Sequence, residues 1–305
     1  MTLRALCARL RVVIQHPVKS IRRLVRSEEQ VEIQKRLRQV FETLVRFCHE
    51  IYVDPDQIPE LDVYPFDPDN LASPALHFFQ PWSTTQLAKY EKNLELDGSG
   101  TRLAYLERVI QAMHVAALHA HRPHDMDEFE SMVTRLVWEL ETCPRKETKN
   151  NSHPLSRITK WKIFPGIKMH WWFDTVDRDG CTEPTWHCYH SWTISKDIPH
   201  VKVLMVVAAP THPDLLFKAE LLTIVCIMVS RMKKRSLKKH AVVPVMLFSL
   251  SGPKHGRILT AHYDGKRIVV HRSPAYRFFP DDSMSLQLFV RYLASDVKPF
   301  GKTHL

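Results

Sequence analysis

No apolar run in this 305-residue chain is long enough to cross a bilayer. The longest, VLMVVAAP and AELLTIVCIMV, fall well short of the roughly 18 residues a span needs, so no transmembrane segment is expected. Arg4, Arg9 and Arg11 interrupt the apolar residues at the N-terminus, which argues against a secretory signal. Six cysteines (Cys7, Cys48, Cys143, Cys181, Cys188 and Cys226) show no C-x-x-C spacing, so neither a disulfide framework nor a zinc ribbon is signalled. Reduced, mostly buried thiols in an intracellular protein are the expectation. No glycine occurs before Gly98, and Val53 to Ser83 has six acids but no Lys or Arg.

What is present is a globular composition with a cationic excess. At 44% hydrophobic the chain can bury one large core or two modest ones. A formal charge of +10 favours anionic partners, such as nucleic acid, lipid headgroups or an acidic protein. The excess is concentrated in two places, the N-terminal residues and RMKKRSLKKH from Arg231 to His240. Residues 1–26 carry seven Lys or Arg and no acid, with Leu3, Leu6, Leu10 and Ile14 near one helical face. We read this stretch as a basic helix in preference to a mitochondrial presequence, because it is poor in serine. The C-terminal THL departs from the peroxisomal SKL, leaving a cytoplasmic or nuclear location as the expectation.

Spacing predicts an α+β fold: a helical N-terminal half, then a mixed or antiparallel sheet with packing helices in the C-terminal half. Residues 1–142 read as the helical region, interrupted at 53–83 by a long Pro-rich acidic loop whose six prolines resist both helix and sheet ladders. Two helices are expected at 101–121 and 125–142. The polar segment 143–154 reads as a linker, and 155–305 as an α+β domain. Strands are expected at 158–173, 185–195, 201–209, 242–250, 257–263 and 266–272. A helix capped by Thr211 and Asp214 should run from Pro213 to about Leu237, and a shorter one near 285–295.

The residues that resemble a site are weighed against that framework. In CTEPTWHCYHSW, strand alternation places Trp186, Cys188, His190, Trp192 and Ile194 on one face, with His187 and Tyr189 on the other. His187 and His190 then diverge, which disfavours a metal centre. No metal and no cofactor is expected. Asp264-Gly265 reads as a two-residue hairpin turn, setting Tyr263 opposite Lys266, Ala261 opposite Ile268 and Leu259 opposite Val270. His262 would then face Arg267, and His271 would face Ile258, giving a partly cationic strip. With Lys233, Lys234 and Arg235 of the basic run, Arg267 and His271 are the candidate anion-binding residues. The Asp54/Asp56 and Asp67/Asp69 pairs lack the glycine and closing glutamate of a calcium loop. Ser249 and Ser251 lack a G-x-S-x-G elbow, and SGPKHG lacks the phosphate-loop pattern.

HPDLLFKAELLTIVCIMVSRM and VVPVMLFSLSGPKHGRILTAHYDGKRIVVHRSPAYRF resemble the closing region of a large family of uncharacterised filamentous-fungal proteins. That resemblance implies a fungal intracellular protein with an accessory role in secondary-metabolite biosynthesis. The order helix, three strands, helix is also similar to the core of PD-(D/E)XK nucleases. There Glu220 would stand as the helix carboxylate and Asp264 as a hairpin-tip acid, but the third strand, KRIVVHR, has no E-x-K to bind metal and activate water. The chain is therefore expected to be a non-catalytic accessory or interaction protein. The alternatives are a nucleic-acid-binding protein on a degenerate nuclease-like scaffold, and a cofactor-free enzyme with an aromatic pocket built from His187, Tyr189, His190 and His262.

Overall fold

The computed structural model describes residues 28–46, 50–93, 127–146, 153–164, 186–252, 254–278 and 283–298. Helix α1, Glu28–Arg46, is followed by β1 (Tyr52–Val53), β2 (Leu61–Pro65), β3 (Phe79–Gln80) and α2 (Thr84–Ala88). Next come α3 (Asp127–Glu141), α4 (Leu155–Thr159), β4 (Lys162–Ile163), β5 (Trp186–Thr193) and β6 (Val201–Pro210). The C-terminal part adds β7 (Leu216–Phe217), α5 (Lys218–Met232), β8 (Val245–Gly252), β9 (His255–Tyr263), β10 (Ile268–Arg272), β11 (Tyr276–Arg277), α6 (Ser283–Leu293) and β12 (Asp296–Val297). The molecule is α+β. The expected helical N-terminal half is only partly present, because residues 50–83 form strands, turns and single helical turns. The basic N-terminal helix and the helix at 101–121 lie outside the described residues, as do Cys7, Cys48, Cys181, Trp171 and Trp172.

The main sheet runs β2-β10-β9-β8-β6-β5-β4, with β11 pairing beside β9. It is mixed: β6 and β8 are parallel neighbours joined by α5, β2 is parallel to β10, and the other pairs are antiparallel. Its central strands are buried on both faces, which is why they read as continuous apolar runs. On one face Val203, Met205, Leu247, Leu259 and Val270 pack under α5 and α1. On the other, Leu204, Val206, Phe248 and Ile258 meet α3, α6 and the segment Phe66–Trp82. Both cores contain residues from each side of 143–154, since α1 and β2 complete one and Phe78, Trp82 and α3 the other. Helix α1 buries Ile33, Leu37, Val40, Phe41 and Leu44 at three- and four-residue intervals. That stripe covers α5, which is itself buried on nearly every side.

Four expectations are corrected by this architecture. The Pro-rich segment does join ladders: β2 lies at the sheet edge and holds a single proline, Pro65, at its end. Ile158 and Thr159 end helix α4 (Leu155–Thr159) instead of opening a strand, and only Lys162–Ile163 of the expected run at 158–173 is strand within the described residues. Helix α5 begins at Lys218, five residues later than expected, because residues 211–217 are held by other partners described below. The β9–β10 hairpin pairs Ile268 with Tyr263, Val269 with His262 and Val270 with Ala261, so its turn holds four residues instead of two. Asp264 Oδ1 accepts the N–H groups of Lys266 and Arg267 at 2.8 and 2.7 Å, and Gly265 takes φ 104°, which stabilises the longer turn.

Gly256 in β9 is closely packed. A Cβ there would stand 2.9 Å from Leu250 Cδ2, 2.9 Å from Phe278 Cε2 and 3.1 Å from Phe289 Cζ. Gly256→Ala should therefore lower the free energy of unfolding by about 1–3 kcal/mol, the usual cost of overpacking a core, as read by chemical denaturation.

A second lock closes the end of α6. Lys202, fully buried in β6, donates from Nζ to the carbonyls of Leu293 (2.7 Å) and Ser295 (3.0 Å) and lies 3.8 Å from the Trp161 ring centroid. The helix-terminal carbonyls gain a donor they cannot find within the helix. Burial pushes the Lys202 ammonium well below its ordinary range. The unfolded chain then binds a proton that the folded one releases, so stability should rise with pH towards the ordinary lysine value. In Lys202→Met that alkaline rise should flatten in denaturation curves taken at successive pH values.

Candidate functional site

The C-terminal ends of the parallel neighbours β6 and β8 lie side by side, and the first turn of α5 enters above them. In open α/β layers this is where ligands commonly bind. Here the space is occupied by the connection Thr211–Phe217. His212 Nδ1 accepts the N–H groups of Asp214 and Leu215, each at 3.0 Å, so the proton of the neutral ring sits on Nε2. Tyr52 stacks on Phe217 with ring centroids 5.3 Å apart, and its hydroxyl donates to the Pro210 carbonyl at 2.5 Å. The Thr211 and Ser251 hydroxyls bond to each other across the ends of the two strands.

At the centre stands a buried ion pair. Arg257, reaching from β9, donates from Nε to Glu220 Oε1 at 2.8 Å and from Nη2 to Oε2 at 2.6 Å. Glu220 Oε2 also accepts the Phe217 N–H at 2.9 Å, fixing the start of α5. The remaining Arg257 nitrogen, Nη1, donates to the carbonyls of His212 (3.2 Å) and Leu215 (2.9 Å). Both side chains are almost wholly buried, at 2% and 0% exposure. A second arginine, Arg272 of β10, donates to the Pro213 carbonyl, with Nη2 3.8 Å from Asp214. Burial, with Arg257 adding to it, lowers the pKa of Arg272. This assembly is satisfied within itself and fastens the connection to the sheet.

The other predicted site residues are dispersed. A β-bulge between Cys188 and His190 breaks the expected alternation of β5. As a result Trp186 and Cys188 face α5, whereas His187 and His190 are paired opposite Val206 and Leu204 and share the other face. The expectation that His187 and His190 diverge is thus corrected: the extra residue, Tyr189, restores them to one side. They are not joined into a reacting pair, because His187 is exposed and meets Tyr189 edge-on at 4.9 Å, whereas His190 is buried and stacked 5.6 Å from Trp192. Cys188 Sγ lies 3.8 Å from Thr223 Oγ1, and burial pushes its thiol up to about 12, leaving it a poor nucleophile. His262 lies 4.7 Å from Phe78, and Asp264 caps the hairpin turn far along the strand from Glu220.

The cationic strip on the hairpin does not assemble as expected. With the four-residue turn His262 faces Val269 and His271 faces Thr260. Arg267 pairs instead with Asp62 at 2.7 Å, and His271 packs against Tyr64. Lys233, Lys234 and Arg235 follow the end of α5, where the Lys234 ammonium sits 3.6 Å from the Phe164 ring. Asp54 and Asp67 each accept an N–H two residues ahead, so the D-x-D pairs make turns. Among the described residues no group of three His, Cys, Asp or Glu is placed to hold a metal ion, and no helix is long and apolar enough to cross a membrane.

Among the buried basic residues that the sequence reading did not single out are Arg257 and Lys202. Each had a signal: a single charge set among inward-facing apolar residues, as in GRILTAHY and VKVLMVV. A charge in such a place has to find a partner or stay neutral. Comparisons of the chain with family models, with curated proteins and with solved structures found no match in any of the three.

Proposed function

We propose that this chain is a non-catalytic accessory or interaction protein that works inside the cell and recognises an acidic protein partner through its cationic surface. The observation that carries this reading is the state of Glu220. Both of its oxygens are held by Arg257 and one also by the Phe217 N–H, so the acid that a nuclease-like core would present to metal serves the fold. Cys143, Cys188 and Cys226 are free, in keeping with a reducing compartment. Beyond the end of α5, Lys233, Lys234, Arg235, Lys238 and Lys239 form a half-exposed to exposed cationic series.

The competing nucleic-acid reading draws on the same charge, and salt separates the two. The protein is titrated with duplex DNA at low and near-physiological salt, with Mg²⁺ present to reveal cleavage. Absence of binding at low salt supports the interaction protein. Binding that weakens steeply with salt, as phosphate contacts require, or any cleavage overturns it.

A further inference from the structure

On the far side of the sheet from α5, a cleft of about 540 Å³ opens between the end of α3, helix α4, the edge strand β4 and Ile194 just beyond β5. We propose that it binds a small organic acid with an apolar body, a carboxylate at one end and a hydroxyl at the other. The volume lies within the range of small-molecule sites. The inference rests on this cleft alone and stands or falls independently of the accessory role.

The lining divides into three chemical zones. The floor carries the Glu141 carboxyl, whose Oε1 accepts the Trp192 indole N–H at 2.6 Å and which also bonds the Ser156 hydroxyl. Two donors leave part of a carboxylate's acceptor capacity unused, since it can take about four. Burial raises the Glu141 pKa against the pull of Ser156 and Trp192. A buried carboxyl whose desolvation exceeds its hydrogen bonding gains most from a further donor. The walls offer apolar surface from Ile163, 41% exposed, and the half-buried Ile194. The rim carries three exposed cations, Arg157, Lys160 and Lys162.

Lys160 is informative because of where it sits. It ends α4 in the left-handed region at φ 63°, a position that favours glycine and costs other residues energy. Its side chain puts a positive charge on the cleft. Hydroxyl to Glu141, body to Ile163 and Ile194, carboxylate to the rim is the one orientation in which each part of the ligand meets its complement.

The test uses the full chain with 4-hydroxybenzoate and benzoate as probes, by titration calorimetry at low salt. Wild type should bind both saturably and prefer the hydroxy acid about tenfold, the value of one hydrogen bond to a charged acceptor. Glu141→Gln, which retains an oxygen for the Trp192 N–H, should abolish that preference. Lys160→Gly should weaken both probes several-fold while thermal stability holds or rises, because glycine relieves the backbone. Saturable binding of neither probe overturns the proposal. So does an unchanged preference in Glu141→Gln, or equal occupancy by inorganic phosphate, which would mark a nonspecific cationic rim.

Discussion

Arg257→Met is expected to lower the free energy of unfolding by about 3–5 kcal/mol, the range for breaking a buried ion pair from one side. The loss is large because the substitution strands several groups at once. Glu220 loses both guanidinium bonds, and the carbonyls of His212 and Leu215 lose their donor. None of these groups can turn to water without opening the connection above β6 and β8. Glu220→Gln should cost less, about 1–3 kcal/mol, since an amide oxygen still accepts the Phe217 N–H and one Arg257 N–H, while the charge and the acceptor of the other Arg257 N–H are lost. Urea denaturation of the two variants beside wild type reads the difference directly.

Acid should be the second strong perturbation. His200 is packed edge-on against Phe78 and Phe79, and the His262 ring centroid lies 4.7 Å from that of Phe78, so both imidazoles pack against the segment Phe78–Phe79. Burial, reinforced by His240, Lys202 and Arg231, pushes His200 down to about 3. Burial and then His271 and His77 push His262 down to about 4, against the pull of Asp264. The sign follows from proton counting. As pH falls below the ordinary histidine value the unfolded chain takes up protons that the folded chain refuses, so stability is lost on acidification. With about 1.4 kcal/mol per histidine per pH unit, the loss between pH 6.5 and 4 should be on the order of 5 kcal/mol. His262→Gln should remove roughly half of that slope while leaving the His200 part, as measured by denaturation midpoints across the acid range.

The parts of the fold that could be read from sequence are those where one physical rule acts alone. Strands β6 and β8 are buried on both faces, so each reads as a short, nearly continuous apolar run. Helix α3 and helix α6 show ordinary amphipathic spacing. The misreadings arose where a side chain overrode the backbone preference. Asp264 extends a turn that Asp-Gly alone would make shorter, Tyr189 adds a residue to β5, and His212 with Arg257 holds Thr211–Phe217 out of α5. The site residues were legible by type but not by partner. Glu220 stands out in the α5 run, yet Arg257 lies 37 residues away and meets it only once β9 is aligned on β8.

The central claim is that Glu220 is committed to Arg257 and thereby to the fold. A double-mutant cycle over Glu220→Gln and Arg257→Met, measured as unfolding free energy, tests it most directly. The account predicts that the double variant is hardly less stable than Arg257→Met alone, with a coupling of about 1–3 kcal/mol. Additive losses with no coupling would show that the two side chains act separately, and Glu220 would return as a carboxylate available for other chemistry.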